Sequence, residues 1–317
     1  MASGPLGRVL LEPWWQLAIA SVRAGAGVVW FTGGPLANGR AREVDVAPSA
    51  TSLDGPLWCE PCTIAAAALA LVDDGVLAVV SGLPGDRHPA VLARDVTTLD
   101  VLSGGRAAVV LRWVGTQEPA GATCDPQAVC AYLGEAVAVC RAVLQDENPA
   151  FEGRYLHIAG AVNRPPPSRP GGLALLVEVP SGIPEPVSRG PGVSFLLRQA
   201  AVDATAIVCS DDPREIAMWR GLVVDRAGVP MREGGTGEIP RIFCRTSLEE
   251  EVPLGGRGGI SSRVKAAHGA GADGIVVRLR EGLPQGVRNG AGAQVVDSSD
   301  VERVAERLAS CFDPWRR

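Results

Sequence analysis

The residues of this chain best suited to chemistry are three histidines, eight cysteines and a few arginines and glutamates at the ends of apolar runs. His88 stands before a proline and reads as a helix start. His157 falls in a short strand-like stretch, and His268 near a helix end, where a cation suits the dipole. They assemble neither a Ser-His-Asp arrangement nor a metal set, so catalytic residues remain unassigned and no metal is expected. Cys59-Glu60-Pro61-Cys62 has the spacing of a redox pair, but it opens an alanine-rich helix and lacks a second pair for zinc. It is read as coincidence, with buried, reduced thiols throughout. Arg112 differs, because it ends an apolar strand. Its planar fork suits a phosphate, while Glu178 on the adjacent strand offers a salt bridge instead, and both readings stand. Ser181-Gly182 and Ser188-Arg189-Gly190 could present backbone N–H groups to a phosphate. Trp30, Trp58 and Trp113 are read as core packing rather than stacking platforms.

The elements that must position these residues alternate along the chain. Strands are expected at Gly7–Leu11, Gly27–Phe31, Val76–Ser81, Ala107–Trp113, Leu173–Val179, Thr205–Cys209, Ile239–Cys244 and Gly274–Arg278. Helices are expected at Trp14–Arg23, Cys59–Val72, Ala90–Leu102, Pro126–Gln145, Val193–Ala201, Pro213–Ala227, Ser261–Ala270 and Val301–Cys311. Eight strand–helix units predict an α/β class, a (β/α)8 TIM barrel in one domain over residues 1–317. Arg23–Val29, Val202–Val208 and Gly269–Val277 share an outline: a helix ends on small residues and a strand follows, as on a barrel floor. Long strand-to-helix loops follow on the other face, at Gly33–Leu57, Gly82–His88, Gly115–Asp125, Pro180–Gly192 and Glu281–Ala293. A small-molecule ligand belongs there, at the carboxyl ends of the strands.

Composition narrows the partners. The formal net charge is −5 and the basic residues are scattered, which speaks against nucleic acid. The longest apolar run, Ile64–Val72, is far shorter than the roughly 20 residues of a spanning helix, so no membrane is expected. No secretory signal is read in Met1–Leu11, and a cytoplasmic location is expected.

One segment carries more than periodicity. Arg87-His88-Pro89, followed by Thr98-Leu99-Asp100-Val101-Leu102-Ser103-Gly104-Gly105-Arg106, resembles the third helix of the bacterial-luciferase-like family. Glu60-Pro61 before Ala65–Leu71 resembles its second helix, and Phe151-Glu152-Gly153-Arg154-Tyr155 its insertion after the fourth. Pro165–Gly172, Asp212-Pro213 and Val301-Glu302-Arg303-Val304 extend the resemblance over most of residues 10–312.

That resemblance implies a luciferase-like barrel, an oxidoreductase or monooxygenase with FMN or a deazaflavin coenzyme, a small organic substrate and, often, a homodimer. It implies a bulged, cis-peptide strand end at Val80-Ser81-Gly82, making Ser81 and Gly82 cofactor contacts beside Arg112, Ser181 and Gly182. Three strand ends depart from the family pattern. The second reads Val29-Trp30-Phe31-Thr32-Gly33-Gly34, without the Asp-His signature. The fourth reads Val110-Leu111-Arg112-Trp113 in place of Gly-x-Gly, and the fifth Glu178-Val179-Pro180-Ser181-Gly182 in place of Gly-Gly. These departures leave open a second reading, a degenerate barrel that binds a flavin-like ligand or a partner subunit without turnover.

Overall fold

Apolar runs separated by capped helices pair here in the order in which they are synthesised. The computed structural model describes residues 28–32, 60–70, 77–82, 87–112, 125–169, 172–183, 188–201, 206–226, 240–248 and 260–279. Seven parallel strands form one sheet: β1 (Val28–Thr32), β2 (Leu77–Gly82), β3 (Ala107–Arg112), β6 (Ala174–Glu178), β7 (Ala206–Ser210), β8 (Ile242–Leu248) and β9 (Gly274–Leu279). Between β3 and β6 lies a separate antiparallel hairpin, β4 (Ala150–Glu152) and β5 (His157–Ala159). The sheet order follows the chain without a reversal, which is the singly wound topology of an α/β barrel rather than a doubly wound open sheet. The expected strand Gly7–Leu11 and helices Trp14–Arg23 and Val301–Cys311 lie outside the described residues.

Both faces of β3, β6 and β7 are buried, which is why they read as continuous apolar runs rather than alternating ones. In β3 all six residues are buried. Val109, Leu111, Val177, Ile207 and Cys244 pack outward under the helices, against Val96, Leu133, Leu196 and Trp219. Ala108, Val110, Leu176, Ala206 and Val208 pack inward with Trp30, Phe243 and Val276. Trp30 is therefore core, as expected; Trp58 and Trp113 lie outside the described residues.

The helices are α1 (Pro61–Leu69), α2 (Pro89–Leu102), α3 (Pro126–Gln145), α4 (Pro191–Ala200), α5 (Pro213–Arg226) and α6 (Ile260–Gly269). Five of them begin with proline at the first helical position, where its missing N–H and fixed φ do no harm. Side chains in front accept the orphan amides: Glu60 from Cys62 and Thr63, Asp125 from Gln127, Asp212 from Arg214. By length and composition α3 could span a membrane. In the fold it is a core helix packed between α2 and α4, with 61% of its most apolar stretch buried.

The segment that carries the family resemblance is scaffold. Arg87 joins the starts of α1 and α2, pairing with Glu60 at 3.1 Å and Asp95 at 2.7 Å. Asp100, buried at the end of α2, accepts from Ser168 N at 2.8 Å and from Ala107 N at 3.4 Å. Gly104 and Gly105 take φ of 67° and 89° to turn the chain into β3, and Arg106 then ties down the carbonyls of Ser103 and Leu69.

Candidate functional site

Parallel register sets the geometry of the site. Arg112, the last residue of β3, stands opposite Glu178, the last residue of β6. Both follow Val110 and Leu176 by two residues, so they share the inward face at the carboxyl end of the strands. They are charged yet only 5% and 6% exposed. Glu178 is held by Arg245 of β8, whose Nη1 meets its Oε1. Its Oε2 lies 3.6 Å from Arg112 Nη1, an ion pair too long for a hydrogen bond. The salt bridge anticipated between Arg112 and Glu178 is thus present, but it does not use up the arginine.

Arg112 Nε and Nη2 are buried and have no hydrogen-bond partner among the described residues. These two nitrogens form one edge of the guanidinium, with parallel N–H bonds spaced to meet the two oxygens of a carboxylate or phosphate. Burial pushes the Arg112 pKa down, yet guanidinium remains charged at neutral pH. Arg112 and Arg245 both lie against the one Glu178 carboxylate. The arrangement is able to bind an oxyanion.

The other anticipated contacts are distributed around it. Ser81 lies between Thr32 and Val110 in one cross-strand row, and Gly82 stands beside Leu111. The register through β2 is continuous, so the bulge implied at Val80-Ser81-Gly82 is absent; the cis peptide found among the described residues is Arg164–Pro165. Ser181 is exposed beyond β6. Gly182 is exposed too, but its N–H already donates to Glu215 Oε1 at 3.0 Å. Glu215, at the start of α5, also accepts from Ser210 Oγ at the end of β7. At the start of α4, Gln127 Oε1 accepts from Gly192 N at 2.8 Å and Val193 N at 3.4 Å. Amides that a phosphate would use after β6 therefore have acceptors within the protein.

His88 caps α2, its Nδ1 accepting from Ala90 N at 3.2 Å. His157 is exposed in β5, and His268 sits in the last turn of α6. Among the described residues no group of three or more His, Cys, Asp or Glu is placed to hold a metal ion.

Cys62 is half-buried, and burial, reinforced by the charge of Glu60, pushes its thiol up to about 12. A thiol of that pKa carries roughly a thousandth of the thiolate of a free cysteine at pH 8. Site-resolved mass spectrometry of native protein treated with iodoacetamide at pH 8 should find Cys62 unmodified while a small-molecule thiol reacts fully. Rapid labelling would restore the redox reading of the Cys-x-x-Cys stretch.

Sequence reasoning missed Arg245, Glu215, Gln127 and Glu135. Arg245 lies one residue past the expected end of its strand, with no periodicity to mark it. Glu215 had a local signal, the Asp-Pro-x-Glu spacing of a helix start, but that spacing does not reveal its bonds to Gly182 and Ser210.

The model of the luciferase-like monooxygenase family matches residues 47–222, more than half of the chain. A monooxygenase from Streptomyces bottropensis is 15% identical, over 97% of this chain and 94% of that one, with a TM-score of 0.58. The coenzyme F420 dependent tetrahydromethanopterin reductase of Methanopyrus kandleri is 12% identical over 94% of each chain, with a TM-score of 0.56. A riboflavin lyase, solved with modified FMN and riboflavin, is 13% identical over 96% of this chain and 85% of that one, with a TM-score of 0.61. At such identities the likeness establishes the fold, a TIM barrel, in agreement with the sequential parallel sheet. With that fold and that match together, the chain belongs to the luciferase-like monooxygenase family.

Proposed function

We propose that this protein is an oxidoreductase that uses FMN or a deazaflavin coenzyme to transform a small organic molecule. The observation that carries the reading is the unpartnered Nε–Nη2 edge of Arg112, buried at the carboxyl ends of the barrel strands. A buried cation with two idle donors is costly to keep, and an oxyanion such as a coenzyme phosphate satisfies both at once. The family supports the same reading, since similar structures include an F420-dependent reductase and a lyase solved with modified FMN. When bound, such a coenzyme supplies the hydride or oxygen chemistry. Arg112 holds the oxyanion, Ser81 and Gly82 border it from β2, and Ser181 and Gly182 border it from the loop after β6. Val110, Leu176 and Ala206, one row below, form an apolar floor that keeps water from the reacting groups. We place residues 1–317 in one barrel domain, which the 94–97% coverage of this chain in those three alignments supports.

One observation favours a second reading, a barrel that binds without turnover. Gln127 and Glu215 occupy amides that a phosphate would otherwise use. A titration with FMN and, separately, with the deazaflavin coenzyme, followed by ligand fluorescence, tests the proposal. Saturable binding of one, with reduction of the bound coenzyme, is expected. Binding that never leads to reduction supports the second reading, and no binding of either overturns both.

A further inference from the structure

We infer that Arg245 is a positioning residue that keeps the Arg112 oxyanion edge unpaired by holding Glu178 away from it. The inference rests on the proposed role of Arg112 and concerns how that role is maintained. Glu178 is the residue in register with Arg112 on the adjacent strand, so its carboxylate is within easy reach of the arginine's fork. A buried carboxylate and a buried guanidinium at such a position would ordinarily close into a two-bond pair. They do not. Glu178 Oε1 is engaged by Arg245 Nη1, its Oε2 accepts no hydrogen bond, and the nearest Arg112 nitrogen stays 3.6 Å away.

Arg245 reaches Glu178 across β7, from the row shared by Ser210 and Val276. Its side chain is 26% exposed where that of Glu178 is 7%, so its charge is easier to hydrate and its burial less demanding than that of Arg112. Arg245 neutralises the carboxylate, and Arg112 keeps its charge and two donors for a ligand. Without Arg245, Arg112 would be the cation left to Glu178 among the described residues, and the pair would fill the site from within. The three residues thus act as a competition between an internal anion and an external one, biased outward by Arg245.

The test uses the full chain, with FMN, the deazaflavin coenzyme and inorganic phosphate as probes. Affinities are measured for wild type, Arg112→Met, Arg245→Met, Arg245→Lys, Glu178→Gln and the double variant Arg245→Met/Glu178→Gln. Circular dichroism and thermal melts identify any variant that fails to fold. Arg245→Met should weaken binding by about tenfold or more, as losing a close charge partner does elsewhere. Arg245→Lys should keep most of the affinity, because it still neutralises Glu178. The double variant should recover to within about threefold of wild type, since the competing anion is gone. Wild-type binding that is lost in Arg112→Met but unchanged in Arg245→Met, or a double variant as weak as Arg245→Met, overturns this inference and leaves the proposed function standing. Absence of wild-type binding to every probe overturns both. If Arg245→Met does not fold, Arg245→Lys against Arg245→Lys/Glu178→Gln decides: a gain in affinity from removing Glu178 is expected, and no gain contradicts it.

Discussion

Arg112→Met is expected to weaken coenzyme binding by about 100-fold while leaving the fold as stable as the wild type, or slightly more so. The two halves of this expectation come from the same geometry. Arg112 is 5% exposed, and two of its nitrogens have no partner among the described residues, so it contributes a desolvation penalty to the empty protein. Its ion-pair partner among the described residues, Glu178, would retain Arg245 after the substitution. Removing half of a buried ion pair normally costs several kcal/mol because it strands the other charge; here nothing is stranded. Methionine fills similar volume without a charge. Arg112→Lys should recover part of the affinity, since a point charge replaces the attraction but not the two-bond fork. Isothermal titration with FMN or the deazaflavin coenzyme, alongside urea unfolding, measures both halves. Loss of stability together with affinity would mark Arg112 as scaffold.

The second large effect lies away from the site. Glu135, buried within α3, accepts hydrogen bonds from three successive amides of the β4–β5 turn: Arg154 N and Tyr155 N at 2.8 Å and Leu156 N at 2.9 Å. Gly153 is glycine because a Cβ there would stand 2.4 Å from Glu135 Oε2. The family-like stretch Phe151-Glu152-Gly153-Arg154-Tyr155 is thus a cradle for one carboxylate. Glu135→Ala removes the acceptor and leaves three amides to be rehydrated, at a cost of about 3 kcal/mol in unfolding free energy. Glu135→Gln keeps an oxygen and should lose about 1 kcal/mol. Urea denaturation checks both, and amide exchange at residues 154–156 should quicken in the alanine variant.

The sequence revealed most where the cause of structure is local. A capping side chain followed by proline marks the starts of α1, α2, α3 and α5 within a residue or two. Continuous apolar runs mark strands buried on both faces, and Ala107–Trp113 was expected where Ala107–Arg112 is found. His88 was legible as a cap because its role depends on the two residues that follow it. The long-range features were not legible. Arg245 lies on a strand that continues to Leu248, and that length is set by pairing with β9 rather than by the polar Arg-Thr-Ser it contains. Glu135 sits in an apolar helical stretch, and its partners come twenty residues later in the chain. The loss of Gly182's amide to Glu215 spans a whole barrel unit. Even the segment that reveals the family does so through its joints, with Arg87, Asp100 and Arg106 fastening helix to strand, and says little about the site.

The most direct measurement compares a coenzyme with its phosphate-free form on the wild-type protein: FMN against riboflavin, and the deazaflavin coenzyme against its phosphate-free form. If the idle edge of Arg112 receives the oxyanion, the phosphorylated form binds at least about 100-fold tighter, and the preference falls away in Arg112→Met. Equal affinity for the two forms, or a preference that survives the substitution, would contradict the account.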